Sequence, residues 1–91
     1  MRKTYVLTLS CTDQPGIVAV VSTFLFESGF NILDAQQFDD PETGNFFMRI
    51  VFGPVSDPEN AVSAAAFAPI AERFGMAWKI RCQLRQSRLE N

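Results

Sequence analysis

Asn45-Phe46-Phe47-Met48-Arg49-Ile50-Val51-Phe52 is the stretch on which the fold turns. Read with a period of two, it puts Phe46, Met48, Ile50 and Phe52 on one face of a strand and Phe47, Arg49 and Val51 on the other. A strand apolar on much of both sides is central in its sheet, or has its second face covered by a partner. Immediately upstream, Asp39-Asp40-Pro41-Glu42-Thr43-Gly44 is a run of bend-forming residues,. Before that run, Asn31 to Phe38 reads as another strand, so the two form a hairpin with a longish loop. Downstream, Gly53-Pro54 closes the central strand.

Outward from the hairpin the period changes to that of a helix on both sides. Ile17, Val21, Phe24 and Leu25 fall on one stripe with Val18 beside it, and Gly29 is placed to end that helix,. Pro15 suits the first helical turn, and Asp13 is close enough to cap it. On the other side, Asp57-Pro58-Glu59 reads as N-cap, first helical position and first-turn acid. Val62, Ala66, Ile70 and Phe74 form the expected stripe of a second helix, which Pro69 should kink and Gly75 should stop. The outermost segments alternate again. Thr4 to Cys11 sets Tyr5, Leu7, Leu9 and Cys11 against Thr4, Thr8 and Ser10. Met76 to Leu84 sets Trp78, Ile80 and Cys82 against Lys79 and Arg81,.

The order is β-α-β-β-α-β. Right-handed crossovers then favour an α+β, ferredoxin-like sandwich: a four-stranded antiparallel sheet, strands one and three central, with two helices on one face. With 91 residues and 47% apolar content, including nine Phe, there is material for one domain with a real core,. The domain is expected over residues 1–85, with 86–91 as a tail or the start of a linker.

Chemistry is constrained mostly by what is missing. There is no histidine, and Cys11 and Cys82 are far apart with no CxxC spacing. That excludes the usual zinc sets and every Cys-His or Ser-His pair, so no metal, cofactor or catalytic residue is expected. Both cysteines fall in apolar-patterned segments and are expected as buried free thiols in a reducing cytoplasm. No signal peptide or membrane span is read. Asp39, Asp40 and Glu42 sit in a solvated turn, where nothing would raise a carboxyl pKa for general acid work. The net charge of -2 and pI near 4.9 argue against nucleic acid and anionic membrane as partners,. The late basic residues Lys79, Arg81, Arg85 and Arg88 read as a solvated edge and tail. Phe46 and Phe47 invite comparison with aromatic RNA-binding sheets, but the basic, glycine-containing frame of those domains is lacking. One of the two phenylalanines is instead expected in the core and the other in a dimer interface.

The stretch that remains is Asp13-Gln14-Pro15-Gly16-Ile17. A glycine there permits close backbone approach, and free helix N–H groups accept a carboxylate. Asn31 could add an amide that both donates and accepts. An equally available reading is a plain strand-to-helix turn.

Asp13-Gln14-Pro15-Gly16-Ile17-Val18 followed by Gly29-Phe30-Asn31-Ile32, in this order of elements, resembles the ACT domain family. Resemblance to that family implies binding of a small effector, often an amino acid, between paired domains, and regulation of an attached enzyme. It places Asp13, Gln14, Pro15, Gly16, Ile17, Asn31 and Ile32 at the effector site. More narrowly, Gln37 to Gly44 running into Phe46-Phe47-Met48-Arg49 is similar to the amino-terminal domain of the formyltetrahydrofolate deformylases. So are Phe67-Ala68-Pro69-Ile70-Ala71 and Phe74-Gly75-Met76 with Trp78. That likeness implies a longer parent chain whose formyltransferase-like domain hydrolyses 10-formyltetrahydrofolate to formate and tetrahydrofolate for purine synthesis. The expected effector is then an amino acid such as glycine or methionine, and a homo-oligomer is expected. The alternative is a structural module that only pairs.

Overall fold

A computed structural model describes residues 2–57 and 59–85. Its elements are β1 (Arg2–Thr12), α1 (Ile17–Glu27), β2 (Phe30–Asp40), β3 (Asn45–Pro54), α2 (Ala64–Phe74) and β4 (Ala77–Arg85). The strands form one antiparallel sheet in the order β2-β3-β1-β4. The ferredoxin-like topology expected from the sequence is the one found, with β1 and β3 in the middle.

Alternation decides which side chains meet the helices. Tyr5, Leu7, Leu9 and Cys11 of β1 and Phe46, Met48, Ile50 and Phe52 of β3 are buried beneath Ile17, Val21 and Leu25 of α1 and Phe67, Ala71 and Phe74 of α2. Aromatic rings lock the two ends of this core. Tyr5 stacks on Phe52 at 5.5 Å between centroids while Phe30 meets Phe52 edge-on at 5.2 Å. At the other end Phe67 is held between Phe24 at 5.4 Å and Trp78 at 4.9 Å. Burying one such ring stabilises the fold by about 2–3 kcal/mol.

Three local expectations are corrected. Asp13 does not cap α1. The cap is Gly16, left-handed at φ 90°, with no side-chain cap bond, and its carbonyl accepts the Val20 N–H at 3.0 Å. A residue with a Cβ is strained at that φ, so the turn itself requires glycine.

The second correction concerns α2, whose N-cap is Ser63 rather than Asp57. Ser63 Oγ accepts the Ala66 N–H at 3.1 Å. Asp57 instead closes a turn, its carboxylate accepting the Glu59 N–H at 2.9 Å and its carbonyl the Asn60 N–H at 3.0 Å. Asx geometry serves a turn as well as a cap, which is why the two are confused in sequence. The buried stripe shifts accordingly to Phe67, Ala71 and Phe74, with Ile70 half-buried. Ala66 is exposed, and Val62 packs on the core from the preceding loop. Pro58 and the 86–91 tail with Arg88 lie outside the described residues.

The third correction is Cys82, which is exposed, whereas Cys11 is buried. Cys82 lies on the helix side of β4, but that edge strand meets α2 at Trp78 and runs on beyond it.

Asn60 fastens the far end of the sandwich. Its Nδ2 donates to the Ser28 carbonyl at 2.9 Å, and its own carbonyl accepts from Tyr5 Oη at 3.4 Å. No described helix is long and apolar enough to cross a membrane.

Candidate effector site

The turn from Asp13 to Gly16 is held by two polar anchors. The Asp13 N–H donates to the Gly44 carbonyl at 2.9 Å, tying the turn to the β2–β3 loop. Gln14 Nε2 donates to the Thr12 carbonyl at 2.9 Å and to the Phe74 carbonyl at 3.0 Å, tying it to the C-terminus of α2. Both amide protons of Gln14 are thereby engaged, and its Oε1 remains as an acceptor. Pro15 and Gly16 are exposed, and a Cβ placed on Gly16 would meet nothing within 4 Å. The N–H groups of Ile17, Val18 and Ala19 have no intrahelical partner, and the helix dipole makes that end partially positive. Ile17 differs from its neighbours: its side chain is 2% exposed and belongs to the core.

Asp13 brings negative charge to the same place. Asp39, the penultimate residue of β2, lies against it. Partial desolvation first, then the Asp13 charge and a hydrogen bond with Asp13, push the Asp39 carboxyl above its ordinary range. Asp40 is by contrast a turn residue. Its carboxylate accepts the Glu42 N–H at 3.1 Å and the Thr43 hydroxyl at 2.9 Å. Burial raises the pKa of the Cys11 thiol beneath the turn; the nearby Gln14 amide dipole opposes this, and the Asp13 charge adds to the rise. The turn therefore offers a carboxylate pair beside a cluster of free N–H groups. Among the described residues no group of His, Cys, Asp or Glu side chains is arranged to hold a metal ion.

Asn31 and Ile32 are elsewhere. Asn31 is exposed and pairs with Gly53, and Ile32 is half-buried opposite Phe52, which in turn pairs with Tyr5. The turn follows Thr12, so the two groups are separated along β1 by about 24 Å at 3.4 Å per strand residue. They stand at opposite ends of α1. One copy of the chain does not bring them together.

Asp39 as a neighbour of Asp13 was missed in the sequence. The register puts Asp39 in one row with Phe46 and Cys11, with β3 between β1 and β2, and the bond from the Asp13 N–H to the Gly44 carbonyl ties the turn to the β2–β3 loop, a closure that no local sequence signal marks.

Comparison with known proteins gives a consistent set. The model of the ACT domain family matches residues 5–69. The formyltetrahydrofolate deformylase of Bacillus subtilis (strain 168) is 51% identical over 76 residues, which cover 81% of this chain and 25% of that protein. The formyltetrahydrofolate deformylase of Corynebacterium sp. (strain P-1) is 35% identical over 78 residues, covering 85% and 27%. Among solved structures, a formyltetrahydrofolate deformylase from Pseudomonas syringae pv. tomato superposes with a TM-score of 0.79 at 36% identity, covering 90% of this chain and 28% of that one. A putative glycine cleavage system transcriptional repressor superposes at 0.77 with 18% identity, covering 97% of this chain and 49% of that one, a likeness of fold alone. The chain spans about a quarter of the length of the curated relatives it matches.

Proposed function

Because this chain belongs to the ACT domain family, we propose that it is a non-catalytic regulatory domain sensing a small effector, an amino acid such as glycine or methionine. The observation that carries the reading is the Asp13 turn. A zwitterion needs a carboxylate for its ammonium and free N–H groups for its own carboxylate. Asp13, with Asp39 beside it, and the first turn of α1 supply both at an exposed glycine,. Asn31 and Ile32 join such a site only from a second copy, so the reading includes a homo-oligomer. The likeness to formyltetrahydrofolate deformylases supports a role in the cytoplasm beside a formyltransferase-like catalytic domain in a longer parent chain. That enzyme would hydrolyse 10-formyltetrahydrofolate to formate and tetrahydrofolate.

The test is a thermal-shift titration of the chain with the common amino acids. An effector at a hundred times its Kd adds about 2.7 kcal/mol. For a domain of this size that raises Tm by roughly 10–20 °C. Glycine or methionine should produce this shift selectively, and Asp13→Asn should abolish it. If no amino acid moves the transition at saturating concentration, the sensor reading falls.

A further inference from the structure

The two helices leave a groove between them on the side away from the sheet. Val20, Thr23, Phe24 and Glu27 stand at i, i+3, i+4 and i+7 of α1 and so share one stripe, which Ile70 of α2 faces and Ala19 borders,. Val20, Phe24 and Ile70 are half-buried and pack on the core, and Phe67 supports Phe24 edge-on at 5.4 Å. Ala19, Thr23 and Glu27 are exposed at the rim. The groove encloses about 330 Å³. That is the lower end of the range for small-molecule pockets, room for one ring and a short substituent.

Its charge is one-sided. Glu27 is the last residue of α1, and the last turn of that helix carries no basic residue. A helix C-terminus is the negative end of the dipole, where a cation is favoured and an acid is not. Carboxylate and dipole therefore add, and the apolar groove ends on a negative spot that its own helix leaves without a counter-charge. The Phe24 ring lines the same groove, and an aromatic face also attracts an ammonium,. The Thr23 hydroxyl at the rim can accept an N–H. We propose that this groove binds a small apolar amine, with its ring or chain on Val20, Phe24 and Ile70 and its ammonium against Glu27.

A carboxylate on the same ligand would be set against Glu27 and the negative end of α1, so the groove selects against an amino acid. The Asp13 turn lies at the opposite end of α1, about 16 Å away for 11 residues at 1.5 Å each,. The proposal goes beyond the effector reading, and either can fail without the other. The groove is open along one side, which sets the affinity in the millimolar range.

Methyl NMR of the folded chain titrated with 2-phenylethylammonium chloride tests it. The Val20 and Ile70 methyls should shift saturably, with a millimolar Kd. Glu27→Gln should weaken binding about ten-fold or more, since it removes the charge from the contact with the ammonium. Read at the same methyls, 2-phenylethanol, which lacks the charge, and phenylalanine, which adds a carboxylate, should each bind about ten-fold or more weakly than the amine. Thr23→Trp, at an exposed position, should fill the groove and abolish the shifts while far-ultraviolet circular dichroism shows the fold intact. Methyls that do not respond to the amine overturn the proposal. So does a Glu27→Gln variant that binds it as tightly as the parent, a response to 2-phenylethanol or phenylalanine equal to that to the amine, or shifts confined to the Gly16 turn.

Discussion

Gln14 makes the sharpest test of how the candidate site is built, because its side chain joins residues 60 apart in sequence. Replacing it with Ala removes the bonds to the Thr12 carbonyl at 2.9 Å and the Phe74 carbonyl at 3.0 Å. Each is worth about 0.5–1.5 kcal/mol net, and the site is half open to water, so the expected loss is about 1–2 kcal/mol. In a domain of this size Tm falls by roughly 5–15 °C. Gln14→Glu keeps the shape but sets a carboxylate against two carbonyls at the negative end of the α2 dipole, and should cost about 2–3 kcal/mol at neutral pH. There its sign with pH can be worked out. The folded state favours the protonated acid, which donates again, so the folded pKa of the introduced carboxyl lies above its unfolded value of about 4.3. Stability is then fully present below the unfolded value and is lost as pH rises through the folded one. Urea titrations followed by far-ultraviolet circular dichroism at several pH values read both effects. An Ala variant within about 0.3 kcal/mol of the parent would refute the anchoring role. So would a Glu variant whose deficit does not change with pH.

The reassigned cap of α2 predicts a contrast: Ser63→Ala should cost about 1 kcal/mol, while Asp57→Ala, in a surface turn, stays within about 0.5 kcal/mol. Equal losses in denaturant titrations would contradict the helix boundary. Alkylation of the folded chain should modify Cys82 and spare Cys11, whose thiol is buried and raised in pKa; mass spectrometry should find one adduct before denaturation and two after,. Rapid double labelling of the native chain would count against that burial. The raised Asp39 pKa should fall toward its ordinary value in Asp13→Asn, as followed by carboxyl NMR titration. In the parent, the contribution from Asp39 is present below its unfolded pKa and is lost as pH rises through the folded one, so removing the Asp13 charge should relieve neutral pH selectively.

Much of the fold was legible because its signal is local. The two-sided apolarity of Phe46 to Phe52 identified a central strand, and alternation grouped Trp78, Ile80 and Cys82 on one face, which the register shows to be the helix side. What failed were choices between equal local chemistries. Asp57 and Ser63 are both good caps, and only the position of Phe67 between Phe24 and Trp78 selects the second. Cys82 follows the apolar pattern, yet its burial depended on how far α2 covers β4, which no period encodes. The same limit applies at the candidate site. Asp13 and Gly16 announce a turn, but the bond from Gln14 to Phe74 and the contact of Asp13 with Asp39 arise only when distant elements close.

Those closing contacts give the turn its mechanical position. Asp13 is anchored through its backbone to the β2–β3 loop and Gln14 through its side chain to the end of α2, while Gly16 opens α1. A ligand that orders Asp13 and the first N–H groups of α1 therefore acts on three elements at once, and neither anchor has to break for it to bind. On the proposed reading, the carboxylate pair would favour a cationic group, since an ammonium between Asp13 and Asp39 would satisfy both. A neutral or anionic effector would gain nothing from that arrangement. If the proposed reading holds, the turn would discriminate by the charge of the group bound more than by its side chain, and an effector stripped of its ammonium, such as acetate in place of glycine, should leave the domain unmoved in the same thermal-shift assay.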